Sequence, residues 1–95
     1  MNLFYFYFKG IIYFEMNQFE KSIVAYTNAI KIKEDVQYLC KKGRCYLKLN
    51  FPKSALVCFN RATNLDPTFP QTYRYKGISY YVKFKNKFKK KDLNR

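Results

Sequence analysis

The chain contains three glycines, and each opens the same kind of tetrad. They are Gly10-Ile11-Ile12-Tyr13, Gly43-Arg44-Cys45-Tyr46 and Gly77-Ile78-Ser79-Tyr80, spaced 33 and then 34 residues apart. A second series follows the first two at matching distances: Ser22-Tyr26-Ala29, then Ala55-Phe59-Ala62. Self-similarity at such a period is the signature of stacked helical hairpins. A glycine inside a helix costs about 1 kcal/mol against alanine, so a recurrent one needs a packing reason. Close approach of a neighbouring helix is that reason. Small Ser22 and Ala55, and then Ala29 and Ala62, serve the second helix of each hairpin in the same way.

Taken in order, the apolar spacing predicts helices over 3–16, 19–32, 36–49, 52–64 and 70–84. Asn17-Gln18 and Asn50-Phe51 make the turns within the hairpins, and Lys33-Glu34-Asp35 links the two units. Pro52 and Pro70 stand at helix starts, where the missing amide has no partner to lose, and Pro67 lies between helices. The expected organisation is a repeat over 3–35, a second over 36–69, a lone capping helix over 70–84 and a basic tail over 85–95. From Lys83 the chain reads KFKNKFKKKDLNR, with seven basic residues and one acidic in thirteen. A frayed helical extension or a disordered tail is expected there.

These residues resemble the tetratricopeptide repeat family over positions 3–83. The family's first-helix large residue falls on Phe6, Leu39 and Tyr73, and its glycine and tyrosine fall on the tetrads above. Its second-helix small–aromatic–small series falls on the Ser22 and Ala55 series, and its closing proline on Pro67. Lysine precedes each glycine (Lys9, Lys42, Lys76) where leucine is commonest, and Glu34 replaces a proline. In the third copy, Lys89 and Lys90 stand where small and apolar residues belong. The resemblance implies an all-α fold, a right-handed superhelical solenoid of antiparallel helix pairs, with about two and a half repeats and five helices.

It also implies a concave groove lined by first helices that takes an extended or helical peptide. By helical spacing the groove residues are Tyr7, Phe8, Ile11 and Phe14 in the first unit. They are Cys40, Lys41, Arg44 and Leu47 in the second, with Lys48 one step on, and Arg74, Tyr75, Ile78 and Tyr81 in the third. The groove is therefore aromatic at one end and basic in the middle. An acidic peptide or partner helix with an aromatic or aliphatic anchor fits it, with Arg44 and Arg74 reading charge. The other reading is that these aromatics fill the inner curve of a short solenoid. Some family members clamp the C-terminal carboxylates of chaperones. The matching positions here, Tyr7, Ile11, Lys41, Gln71 and Tyr75, do not keep the clamp residues.

Composition narrows the function further. Nineteen basic residues against six acidic give a net charge of +13, which favours an acidic partner, nucleic acid or an anionic membrane surface. AT-rich codon usage explains the same abundance of Lys, Asn, Ile, Phe and Tyr equally well. In Lys83–Arg95, Phe84 and Phe88 interleave with lysines, a pattern suited to phosphate or membrane-surface contact as well as to simple solubility. With no histidine the usual zinc sets and histidine acid–base chemistry are excluded. No pair of acids has reason to share a cleft and no glycine is free for a phosphate loop, so a non-catalytic module without cofactor or metal is expected. Cys40, Cys45 and Cys58 form no Cys-x-x-Cys pair and read as free thiols in the cytoplasm or nucleus. The apolar run Leu3–Phe8 has no basic residues before it and is interrupted by Lys9. It reads as a first helix rather than a signal or membrane segment, and as a surface for self-association.

Overall fold

The computed structural model describes residues 2–93. Its five helices are α1 (Leu3–Glu15), α2 (Phe19–Ile32), α3 (Val36–Lys48), α4 (Pro52–Leu65) and α5 (Pro70–Leu93), with no strand among the described residues. Each helix packs on the next in sequence, and α5 also reaches α3. That pattern is a helical repeat solenoid, 52 × 30 × 17 Å in extent.

The hairpins α1–α2 and α3–α4 are made alike down to single hydrogen bonds. Asn2 caps α1 by accepting from the Phe4 amide at 2.9 Å, and Asp35 caps α3 by accepting from the Gln37 amide at 2.8 Å. At the other end of each first helix, Asn17 and Asn50 adopt left-handed backbone with φ of 59° and 63°. The Asn17 amide donates to the Phe14 carbonyl at 3.0 Å and that of Gln18 to Tyr13 at 2.8 Å. Asn50 donates to Leu47 and Phe51 to Tyr46 at the same two distances. This paired closure is the Schellman motif, with asparagine at the one position that must go left-handed. Asparagine tolerates that conformation better than other non-glycine residues because its side chain bonds locally.

Two of the three glycines do the work expected of them. A Cβ added at Gly10 would lie 2.5 Å from the Tyr26 ring, and one added at Gly43 would lie 2.5 Å from the Phe59 ring. The close neighbour is thus an aromatic ring of the second helix, seated on the bare backbone of the first. Both rings are almost wholly buried, and each such burial is worth about 1.5–3 kcal/mol. Phe59 is walled by Leu39, Cys40, Ala55 and Ala62. Around Gly10, the Ser22 hydroxyl donates to the Gly10 carbonyl at 2.6 Å and receives the Cys45 thiol at 3.3 Å. That chain ties α1, α2 and α3 together. Cys40 and Thr72, 3.3 Å apart, tie α3 to α5.

Gly77 corrects the reading of the sequence. It is exposed, and an added Cβ would meet nothing within 4 Å. The cause lies seven residues on. Phe84 occupies the place of Asn17 and Asn50 in the period, and a bulky side chain is costly in left-handed backbone. The helix therefore does not turn at 84. It runs through the lysines, good helix formers, to Leu93, well beyond the end expected from the repeat. Residues 94 and 95 of the basic tail lie outside the described residues.

Candidate interaction groove

Arg44 lies where α1, α3 and α5 meet. It stands one residue past Gly43 on α3, the middle first helix. From there it reaches both neighbours: its guanidinium lies 5.1 Å from the ring centroid of Phe14 on α1 and 5.5 Å from that of Tyr75 on α5. A guanidinium over an aromatic face gains about 0.5–1 kcal/mol per ring at an exposed site. Tyr75 is itself held by stacking on Phe59, with centroids 5.6 Å apart and planes 15° from parallel. One turn before Arg44, the Lys41 ammonium sits 5.9 Å from the ring of Tyr7. Tyr7 in turn packs 5.0 Å from Tyr38 and 6.4 Å from Tyr26. Among the described residues, neither Lys41 nor Arg44 is paired with a carboxylate; the ion pair found there joins Arg61 to Glu34 on another face.

Two depressions flank this pair of cations. The smaller, about 70 Å³, is lined by Ile11, Phe14, Glu15, Tyr26, Lys41 and Arg44. The larger, about 330 Å³, is lined by Gln37, Cys40, Lys41, Arg44, Phe69, Gln71 and Tyr75. Of the groove residues taken from the sequence, Tyr7, Ile11, Phe14, Lys41, Arg44 and Tyr75 are brought together here. Phe8 lies at the margin, 56 % exposed and 5.6 Å from the Tyr7 ring. Lys48, Arg74, Ile78 and Tyr81 are exposed and line neither depression. Gln37 and Phe69 were not among the groove residues read from the sequence. Helical spacing would have found Gln37, which precedes Lys41 by four residues; Phe69 belongs to the turn before α5, where periodicity gives no signal.

The thiols are free and buried. Burial pushes the Cys40 and Cys45 thiols above their usual range, although Thr72 and Ser22 respectively hydrogen-bond them and work the other way. Burial lifts Cys58 further, to about 11. These sulfurs are protonated packing groups at neutral pH, not nucleophiles. Tyr26 and Tyr38 are likewise raised, in each case chiefly by burial. No helix of the described residues is long and apolar enough to cross a membrane.

No curated protein and no solved structure gave a match. A family model, described as tetratricopeptide repeat, matches twice, at residues 5–35 and 36–69. Those bounds coincide with the two hairpins that share their caps, their asparagine turns and their glycine–ring contacts. Repeats of this kind generally mediate protein–protein interaction. The two matched units cover more than half of the chain, which therefore belongs to the tetratricopeptide repeat family.

Proposed function

We propose that the chain is a non-catalytic interaction module whose groove binds an acidic peptide or partner helix carrying an aromatic or aliphatic anchor. The observation that carries this reading is the placement of Arg44, stacked between Phe14 and Tyr75 with no carboxylate partner among the described residues. Stacking holds the guanidinium in place before a ligand arrives, so less freedom is lost on binding. Lys41 adds a second positive charge, and the 330 Å³ depression beside Tyr75 and Phe69 receives the anchor. The +13 net charge steers acidic ligands towards the molecule. On an acidic-peptide array, Arg44→Glu is expected to weaken the best binders at least tenfold, and raising salt is expected to weaken wild-type binding. Unchanged binding by Arg44→Glu removes the groove from the account.

A second reading rests on the exposed Phe84 and Phe88 rings, 5.0 Å apart among the lysines of α5. Such a surface suits RNA or an anionic membrane. Deleting 84–95 separates the two: loss of RNA or anionic-liposome binding with peptide binding kept favours the second. A third reading, self-association through α1, rests on Phe4, Tyr5 and Phe8, each more than half exposed. Light scattering of the wild-type chain tests it, since a monomer at high concentration excludes it.

A further inference from the structure

The open face of α5 repeats, without a partner, the surface that the hairpins close. At about 100° per residue, Tyr73, Tyr80, Tyr81, Phe84 and Phe88 all fall within about 60° of the direction of Gly77. The opposite side of the helix carries buried Thr72 and Ser79 and packs on the solenoid. The outward stripe is exposed: Tyr73 by 49 %, Tyr80 by 55 %, Phe84 by 61 %. In the two hairpins the matching first-helix residues are Phe6 and Tyr13, and Leu39 and Tyr46, none of them so exposed. What covers them is a second helix whose aromatic ring sits on the glycine. That ring is Tyr26 on Gly10, with Ser22 four residues before it and Ala29 three after. On Gly43 it is Phe59, with Ala55 and Ala62 at the same spacing. Gly77 offers the same bare backbone, and among the described residues nothing lies within 4 Å of a Cβ added there.

We infer that the Gly77 face of α5 is a docking site for an amphipathic helix of another protein, which supplies the missing second helix of a third hairpin. The two closed hairpins define what that helix presents: an aromatic residue to seat on Gly77, a small residue four positions before it and another three after. Charge defines its flanks. Arg74, Lys76, Lys85 and Lys87 border the stripe, about 60–100° from the direction of Gly77. Lys83 and Lys87 also line, with Asn86, Lys53 and exposed Phe51, a depression of about 560 Å³ between α5 and the α3–α4 turn. A helix with acidic residues along its edges complements this border. A second copy of the chain does not, because two chains of +13 repel and a second α5 brings the same lysines. This surface is separate from the Arg44 groove, so the two sites fail or succeed independently.

The probe is a labelled peptide of α4, residues 52–65, carrying Lys53→Glu, Arg61→Glu and Cys58→Ala, and held helical by a lactam bridge. Its binding to the full chain is followed by fluorescence anisotropy. Wild type is expected to bind. Gly77→Leu, which fills the seat with a good helix former at an exposed position, is expected to weaken binding at least tenfold. A peptide further carrying Phe59→Ala is expected to lose as much, and Arg44→Glu in the full chain to change binding less than twofold. Equal binding by wild type and Gly77→Leu overturns the proposal, as does indifference to the peptide's Phe59. Sedimentation that shows a dimer abolished by Gly77→Leu assigns the face to a second copy and overturns the choice of partner. Binding of anionic vesicles or RNA that is lost in Gly77→Leu, with no peptide binding, overturns it equally.

Discussion

Helices α3 and α5 begin alike and end differently. Each carries a glycine eight residues into the helix, a tyrosine three residues later and a small buried residue between them, Cys45 or Ser79. In α3 the chain then meets Asn50, goes left-handed and folds back, and Phe59 lands on Gly43. In α5 it meets Phe84, stays helical to Leu93, and leaves Gly77 bare. The difference teaches that a glycine of this repeat has no structural value by itself. Its value is created by the turn that brings a ring back to it.

The largest expected effect falls on a closed hairpin. Gly43→Val forces methyl groups into the Phe59 ring, which is fully buried and stacked on Tyr75, so it has nowhere to swing. Overpacking of this kind costs about 3 kcal/mol, or about 15 °C in Tm for a domain of this size. Gly77→Val is expected to gain a few tenths, about 0.3 kcal/mol, since only helix propensity acts there and valine exceeds glycine on that scale. Thermal denaturation followed by circular dichroism checks both.

Next in size is an alkaline loss of stability seated in the hairpins. Between about pH 9 and 11 the unfolded Cys58 thiol is ionised, while the folded one, with its pKa at about 11, still holds its proton. The unfolded state then binds fewer protons, so stability falls as pH rises. A single such group gives a slope of about 1.4 kcal/mol per pH unit over that window and nothing below it. Urea titrations at pH 8, 9, 10 and 11 are expected to show the decline, and Cys58→Ala to reduce the slope by one group's share, with the other burial-raised thiols and tyrosines keeping the rest. A smaller effect concerns the helix end. Phe84→Asn restores the residue type that turns the other two first helices. Residues 85–89 are expected to move towards coil in their carbon chemical shifts, with global stability changed by less than about 0.5 kcal/mol, because Phe84 is mostly exposed.

The spacing of glycine, tyrosine and small residues was enough to place both hairpins, since period and helix pattern are properties of the chain itself. The same spacing misled at Gly77, because the contact it implies depends on a second helix that the spacing does not contain. Asn17 and Asn50 carried the missing information. A left-handed asparagine looks like any polar turn residue until its backbone is seen, and the significance of Phe84 follows only from setting it against those two. First-helix spacing gathered Lys41, Arg44, Phe14 and Tyr75, which the fold brings together around two depressions. It also gathered Arg74, Ile78 and Tyr81, which lie on an exposed helix rather than in the hollow. Helical spacing gives a direction around one axis; it does not say which neighbouring element stands in that direction.

The most direct measurement pairs Gly43→Ala with Gly77→Ala and compares their unfolding free energies by urea titration. Alanine in place of glycine gains about 1 kcal/mol of helix propensity at either site. At Gly43 the added Cβ meets the Phe59 ring at 2.5 Å, so the net change is expected to be a loss of about 1 kcal/mol. At Gly77 the Cβ meets nothing, so a gain of about 0.5–1 kcal/mol is expected. Changes of the same sign at the two positions would contradict the account.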